Sequence, residues 1–273
     1  MELDDIKKHW DANAKKNKTA LLSTTKTTTI KQLEIDAFSR AIYRLCNDEP
    51  AKRLVEVGCG NGYNLFGLAE LFPDFEFVGL DYSDAMIEAA KSLKNKHYDF
   101  NISFNVADIL KLEESGLDNS GYDFVITDRM LINLNSWSLQ RKAISNLISM
   151  LKPNGYLILI ENFVDSHANQ NQLREVIGLP PRVPDAYNKF LSEGDFLSFV
   201  ENELKLEIIL SRNFASLHDI LLYVLLPHSN FGQVVYDHPV MESITQLLKN
   251  LPDEFSESFG RFGQNNLYVL KRS

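Results

Sequence analysis

The run Arg53-Leu54-Val55-Glu56-Val57-Gly58-Cys59-Gly60-Asn61-Gly62 constrains this chain more than any other ten residues. Apolar, largely β-branched positions end in three glycines at alternate places, and helix formers follow from residue 63 to 71, so a strand turns sharply into a helix. The N–H groups of that helix N-terminus face open space and favour an anionic or nucleotide-like ligand. A second strand, Phe75-Glu76-Phe77-Val78-Gly79-Leu80, ends at Asp81, a carboxylate at a strand tip able to accept two hydrogen bonds from a ribose diol. A glycine loop followed by an acidic residue after the next strand points to an adenosine-bearing cofactor.

Glycine spacing narrows that ligand. A dinucleotide fingerprint needs a third glycine where this chain has Tyr63, so the pyrophosphate reading fails. Glu56, two residues before the first glycine, would repel phosphates yet can hold the amino group of an amino-acid tail. S-adenosyl-L-methionine, which has no phosphate, meets both conditions.

The stretch from Val55 through Gly62, with Leu80-Asp81-Tyr82-Ser83, resembles the first two motifs of the class I S-adenosylmethionine-dependent methyltransferases. Asn105-Val106-Ala107-Asp108-Ile109 and Tyr122-Asp123-Phe124-Val125-Ile126-Thr127-Asp128 follow in the family's order, and residues 151–161 resemble its fifth strand with the turn before it. The resemblance implies an α/β fold: a Rossmann-like, doubly wound, seven-stranded, mostly parallel sheet whose last strand runs antiparallel between the fifth and sixth. It also implies that Gly58, Cys59, Gly60 and Gly62 pass beneath the methionine tail, that Asp81 binds the ribose, that Tyr82 edges the adenine, and that Asp108 and Ile109 meet the adenine amine and ring face. Each residue alone has a plainer reading, glycines as turns and Asp81 as a cap for the helix starting at Ser83; their joint occurrence favours the cofactor.

Composition bounds the partners. A chain of 273 residues with 44% hydrophobic content can bury one large core. Its net charge of −9 disfavours nucleic acid, since phosphate recognition needs clustered Lys and Arg. The N-terminal lysines (Lys7, Lys8, Lys15, Lys16, Lys18, Lys26, Lys31) read as a solvated helix face. Two cysteines, no bilayer-length apolar run and an acidic N-terminus predict a cytoplasmic protein without metal, disulfide or membrane partner. A monomer or homodimer acting on a small molecule is expected.

The chain divides into N-terminal helices covering the cofactor (1–46), a cofactor-binding core (47–162), a helical cap (163–200), and a completion of the sheet carrying a helical insertion (201–273). Ile30, Leu33, Ile35, Phe38, Ala41 and Ile42 recur at helical spacing. Ser136 is the expected N-cap of a helix over 136–151, which stops before Pro153-Asn154-Gly155. Further elements are predicted as a helix at 193–201 and strands at 204–210 and 267–270.

The segment Thr127-Asp128-Arg129-Met130-Leu131-Ile132-Asn133-Leu134 occupies the place where the family meets both sulfonium and acceptor, Thr127 on the cofactor side. It lacks the proline pair of adenine-amine and glutamine methyltransferases. Arg129 reads as a carboxylate or phosphate clamp, or as a surface ion pair with Asp128 or Asp123; Asn133 is a candidate for orienting the acceptor. A hydroxyl acceptor needs a general base, and His167, then His218, then His228 are the candidates, with His97 set aside and Tyr187 and Asn188 as cap contacts. Trp10 either covers the sulfonium through cation–π attraction or packs in the core. The segment 129–134, the Lys152-Pro153-Asn154-Gly155 turn and Tyr187-Asn188 also resemble bacterial surface-carbohydrate methyltransferases, which implies O-methylation of a sugar, nucleotide sugar or phosphorylated or phosphoramidate intermediate in capsule biosynthesis. The alternatives are an N-methyltransferase of a small amine or natural product, or a non-catalytic module that only binds the cofactor.

Overall fold

The computed structural model describes residues 2–17, 23–46, 52–97, 100–115, 120–236 and 238–272. In chain order the elements are α1 (Leu3–Asn17), α2 (Thr28–Leu45), β1 (Arg53–Val57), α3 (Tyr63–Leu71), β2 (Glu76–Asp81), α4 (Asp84–His97), β3 (Ile102–Val106), β4 (Tyr122–Asp128), α5 (Trp137–Met150), β5 (Leu151–Asn162), α6 (Val164–Val176), α7 (Glu193–Ser198), β6 (Glu207–Arg212), α8 (Ser216–Ile220), α9 (Leu226–Ser229), α10 (Pro239–Asn250), α11 (Asp253–Glu257) and β7 (Asn265–Lys271). The seven strands form one sheet in the order β3-β2-β1-β4-β5-β7-β6, with β7 antiparallel to both neighbours, as the resemblance implies.

Alternation along each strand builds two cores. Leu54, Phe124, Ile126, Ile158 and Ile160 point to the face covered by α2, α3 and α4, while Val55, Val57, Val125, Leu157 and Leu159 point to the face covered by α5 and α7. Helix α2 lays Ile30, Leu33, Ala37, Phe38, Ala41 and Ile42 on the first face, and Thr27 caps it by accepting from the Thr29 amide at 3.3 Å. Ser136 caps α5 by accepting from the Leu139 amide at 3.3 Å. The Pro153-Asn154-Gly155 turn is a bulge inside β5: Tyr122 pairs with Leu151 but Phe124 pairs with Tyr156, and Asn154 takes a φ of 62°.

Several boundaries differ from expectation. The 163–200 stretch is not all cap: Phe196 on α7 is fully buried against Phe163 and Tyr268, while His167 on α6 and the loop between the two helices reach the ligand end. The sixth strand begins three residues late, at Glu207, because the helical turn after α7 runs on through Phe199–Glu203. Helix α10 packs back on α2, so the C-terminal insertion shares the first core. No helix among the described residues is long and apolar enough to cross a membrane. His97 and Lys18 have side chains outside the described set.

Phe124, 1% exposed and stacked between Phe75 and Tyr156, ties strand to helix layers. Phe124→Ala should cost about 3–5 kcal/mol of unfolding free energy in urea titration; a loss under about 1 kcal/mol would show this core to be loosely packed.

Candidate active site

The three loop glycines all take positive φ: 77° at Gly58, 53° at Gly60 and 83° at Gly62. The turn brings the Gly60 amide to the Asp81 carboxylate, which accepts from it at 2.9 Å and, through its other oxygen, from the Ser83 amide at 2.8 Å. Asp81 thus closes the loop and also faces the ligand space, where burial raises its pKa to about 6. A Cβ on Gly60 would lie 2.6 Å from Thr24 in the segment before α2, so this glycine admits the N-terminal segment over the loop.

One cavity of about 830 Å³ opens at the carboxyl ends of the strands. Of the expected cofactor contacts, Glu56, Gly58, Cys59, Gly60, Asp81, Tyr82, Asp108, Ile109 and Trp10 line it. Gly62 and Thr127 do not. A Cβ on Gly62 would meet the Phe104 ring at 2.7 Å, so that glycine serves helix-to-sheet packing. Thr127 is fully buried and donates to Glu161 at 3.2 Å. Cys59 donates weakly to the Gly60 carbonyl at 3.6 Å, and burial holds its thiol protonated.

Glu56 carries the plainest sign of a ligand. Its Oε1 accepts from Asn64 at 2.6 Å, while Oε2 is buried with no partner, as is Asn64 Oδ1. Burial lifts the Glu56 pKa to about 8. Two orphaned acceptors on a cavity wall fit an ammonium donor.

Beside them lies a buried ion network that no motif announced. Lys31 on α2 pairs with Glu34 at 2.8 Å and with Asp128; Arg129 pairs with Glu34 at 3.1 Å and Asp128 at 3.2 Å. Asn64 donates to Asp128 at 3.0 Å and Asn265 to Glu34 at 2.8 Å. Burial alone would raise the Asp128 pKa, but Lys31 and Arg129 outweigh it and hold the carboxyl well below its usual range. Glu34, dominated by burial, rises to about 7. Arg129 is therefore an ion-pair partner of Asp128, as one of its two readings had it, but of Glu34 rather than Asp123. Lys31, 6% exposed, is no solvated lysine. The turn that places Arg129, at a φ of 53°, is held by Glu161, which accepts from the Met130 and Leu131 amides at 3.0 and 2.9 Å.

Asn133 is already engaged: it accepts from the Trp10 indole at 3.1 Å and donates to the Arg129 carbonyl at 2.8 Å. It latches α1 over the cavity instead of presenting a free amide. Trp10 also meets Tyr187 edge-on at 5.8 Å, and His9 stacks on Tyr187 at 4.3 Å. His167 lines the cavity; its Nε2–H donates to the Arg182 carbonyl at 2.9 Å, which leaves Nδ1 as a buried acceptor without a partner. Burial lowers its pKa below 6.5. His218 is fully buried outside the cavity, donating to Asp219 at 2.9 Å and accepting from Thr29 at 3.0 Å, so it cannot touch an acceptor. His228, on α9, is also absent from the cavity wall.

Comparison with known proteins agrees with this fold. Residues 48–183 match the model of a methyltransferase domain family. A malonyl-[acyl-carrier protein] O-methyltransferase of Bacillus cereus is 31% identical over 129 residues, covering 45% of this chain and 44% of that protein. An uncharacterized protein of Rickettsia prowazekii is 28% identical over 128 residues, covering 46% and 48%. The match thus spans about half the length of these curated relatives. The Synechocystis magnesium protoporphyrin IX methyltransferase, solved with S-adenosylhomocysteine, superposes with a TM-score of 0.57 at 17% identity over 97% of this chain and 94% of that one. The chain belongs to the class I S-adenosylmethionine-dependent methyltransferases.

Removing Lys31 leaves Glu34 and Asp128 facing a single cation in a buried site. Lys31→Met should lower stability by about 3–5 kcal/mol in urea unfolding, and adding Glu34→Gln should restore part of it. A neutral Lys31→Met would mean the network is solvated.

Proposed function

We propose that the chain transfers the methyl group of S-adenosylmethionine to an oxygen of a small polar acceptor, with His167 as the general base. The observation that carries this reading is the orphaned Glu56 Oε2 in the same cavity wall as Asp81, Asp108 and Ile109. Those residues match the cofactor part by part: Glu56 and Asn64 for the amino group, Asp81 for the ribose, Ile109 for the adenine face. When bound, the cofactor supplies an electrophilic methyl on a sulfonium; the chain's own part is to hold the acceptor in line and exclude water. Helix α1, latched through Trp10 and Asn133, serves that exclusion. His167 is suited to a base because its Nε2–H is committed to a carbonyl, which fixes the tautomer and keeps the Nδ1 lone pair available.

The surface-carbohydrate assignment is not carried forward. The Lys152-to-Gly155 turn that suggested it sits at the opposite end of the sheet, where Lys152 pairs with Asp123 at 3.0 Å, and Arg129 is consumed by the ion network. The two named enzymes described above carry malonyl-[acyl-carrier protein] and magnesium protoporphyrin IX in their names, neither of them a sugar. Against a non-catalytic module stands the room left in the cavity beyond the cofactor contacts, walled in part by His167 and Tyr187.

Two measurements test this. At pH 7 Glu56 is largely protonated, and a cofactor ammonium favours its ionised form, so binding should release a proton. Calorimetry of S-adenosylmethionine in buffers of differing ionisation enthalpy should show that release in the wild type and lose it in Glu56→Gln; equal release in both would refute the assignment. With an acceptor in hand, kcat/KM should rise with pH along a limb centred below 6.5, as His167 loses its proton, and His167→Gln should remove the limb and about 10²–10⁴ of the rate. Retention of the limb would assign the base elsewhere.

A further inference from the structure

The part of the cavity beyond the cofactor contacts contains a guanidinium whose partners are all neutral. Arg182 lies in the loop between α6 and α7, and its backbone is clamped: the amide donates to Asn171 at 2.9 Å, and the carbonyl accepts from Asn171 at 3.0 Å and His167 at 2.9 Å. Its side chain lies over the Tyr223 ring, 3.5 Å from the centroid. Nη1 donates to Gln170 at 2.6 Å, and with the Gln264 amide oriented oxygen-first, that oxygen accepts from both Nη1 and Nη2.

Counting donors shows what is left. A guanidinium has five N–H groups. Gln170 and Gln264 take both of those on Nη1 and the inner one on Nη2. The two that remain, Nε–H and the outer Nη2–H, lie parallel on one edge, which is the fork that meets a carboxylate or phosphate side-on.

Charge points the same way. Of the other cations lining the cavity, Lys7, Lys26, Lys31 and Arg129 each have a carboxylate within 3.2 Å, and Lys111, which has none among the described residues, is solvent-exposed. Arg182 has no carboxylate partner among the described residues. Asp219, on the same cavity wall, is bonded to His218 through one oxygen and to the Gln264 backbone amide, at 2.9 Å, through the other, and forms no ion pair with Arg182. A protein of net charge −9 therefore holds one arginine stacked and without an ion-pair partner in the cavity that its expected cofactor contacts also line.

We propose that the acceptor carries an anionic group, a carboxylate or a phosphate, seated on the Nε/Nη2 edge of Arg182. This rests on the methyl-transfer reading above and deepens it: a cationic amine would be repelled from this wall, and a neutral hydroxyl could accept from the fork but would leave its charge unpaired.

The test uses the full chain saturated with S-adenosylhomocysteine and three probes: succinate, inorganic phosphate and neutral acetamide. In the wild type labelled with ¹⁵N-arginine, the Arg182 Nε–H resonance should shift on titration with an anion and stay still with acetamide. Succinate alone acting would identify a carboxylate seat, phosphate alone a phosphate seat, and both a shared anion seat. Arg182→Gln should weaken the effective anion about tenfold or more, with Arg182→Lys in between, while S-adenosylhomocysteine affinity stays unchanged in each. No movement of the Nε–H resonance with either anion, or equal anion affinity in Arg182→Gln, would overturn the proposal; the wild-type titration decides even if the variants fail to fold. Failure of S-adenosylhomocysteine to bind the wild type, read separately by calorimetry, would instead overturn the methyl-transfer reading on which the acceptor depends.

Discussion

The bond from the Gly60 amide to the Asp81 carboxylate joins two strand ends into one cradle. It acts together with the Gly58 and Cys59 amides, which donate to the Leu80 carbonyl at 2.7 and 3.0 Å and dock the loop on the tip of the second strand. Because Asp81 spends one lone pair on each of two backbone amides, it is held rigid before any ligand arrives, and a second lone pair on each oxygen stays available. Preorganisation of this kind lowers the ordering cost of binding. The same carboxylate therefore holds the turn while keeping lone pairs toward the cavity, and the helix that follows is capped by Ser83, whose hydroxyl accepts from the Met86 amide at 3.2 Å.

The buried network of Lys31, Glu34, Asp128 and Arg129 plays the corresponding part at the other end of the cradle. Its desolvation cost makes it a poor source of stability against a hydrophobic alternative. What it supplies is registry: α2 carries Lys31 and Glu34, the end of β4 carries Asp128 and Arg129, and only one docking of the N-terminal helix pairs all four. That docking in turn brings Thr24 over Gly60.

Much of this was legible in the sequence, for identifiable reasons. Strand and helix limits and the glycine turn follow from short-range patterns, namely alternation, spacing and caps such as Ser136, whereas the place of the antiparallel last strand comes with the family resemblance. Asp81, Asp108 and Ile109 lie within three residues of strand ends, so their placement follows once the sheet is known. Lys31 and Glu34 were not legible, because at i and i+3 on an amphipathic helix they look like any exposed pair, and only the partner 97 residues away makes them buried. His218 misled for the converse reason: as a residue type it can serve as a base, but Thr29 and Asp219 close around it. Arg182 sits in a proline-rich loop with no periodic signal, and only the fold brings Gln170, Gln264 and Tyr223 around its side chain.

The central claim is that Glu56, Asp81 and the glycine loop form a single receptor for one nucleoside-bearing amino acid. A crystal structure of the chain grown with S-adenosylhomocysteine examines it directly. The account predicts the ribose hydroxyls on Asp81 and the amino group within hydrogen-bond reach of Glu56 Oε2. Electron density for the ligand elsewhere, or Glu56 Oε2 still unpartnered with the ligand in place, would contradict it.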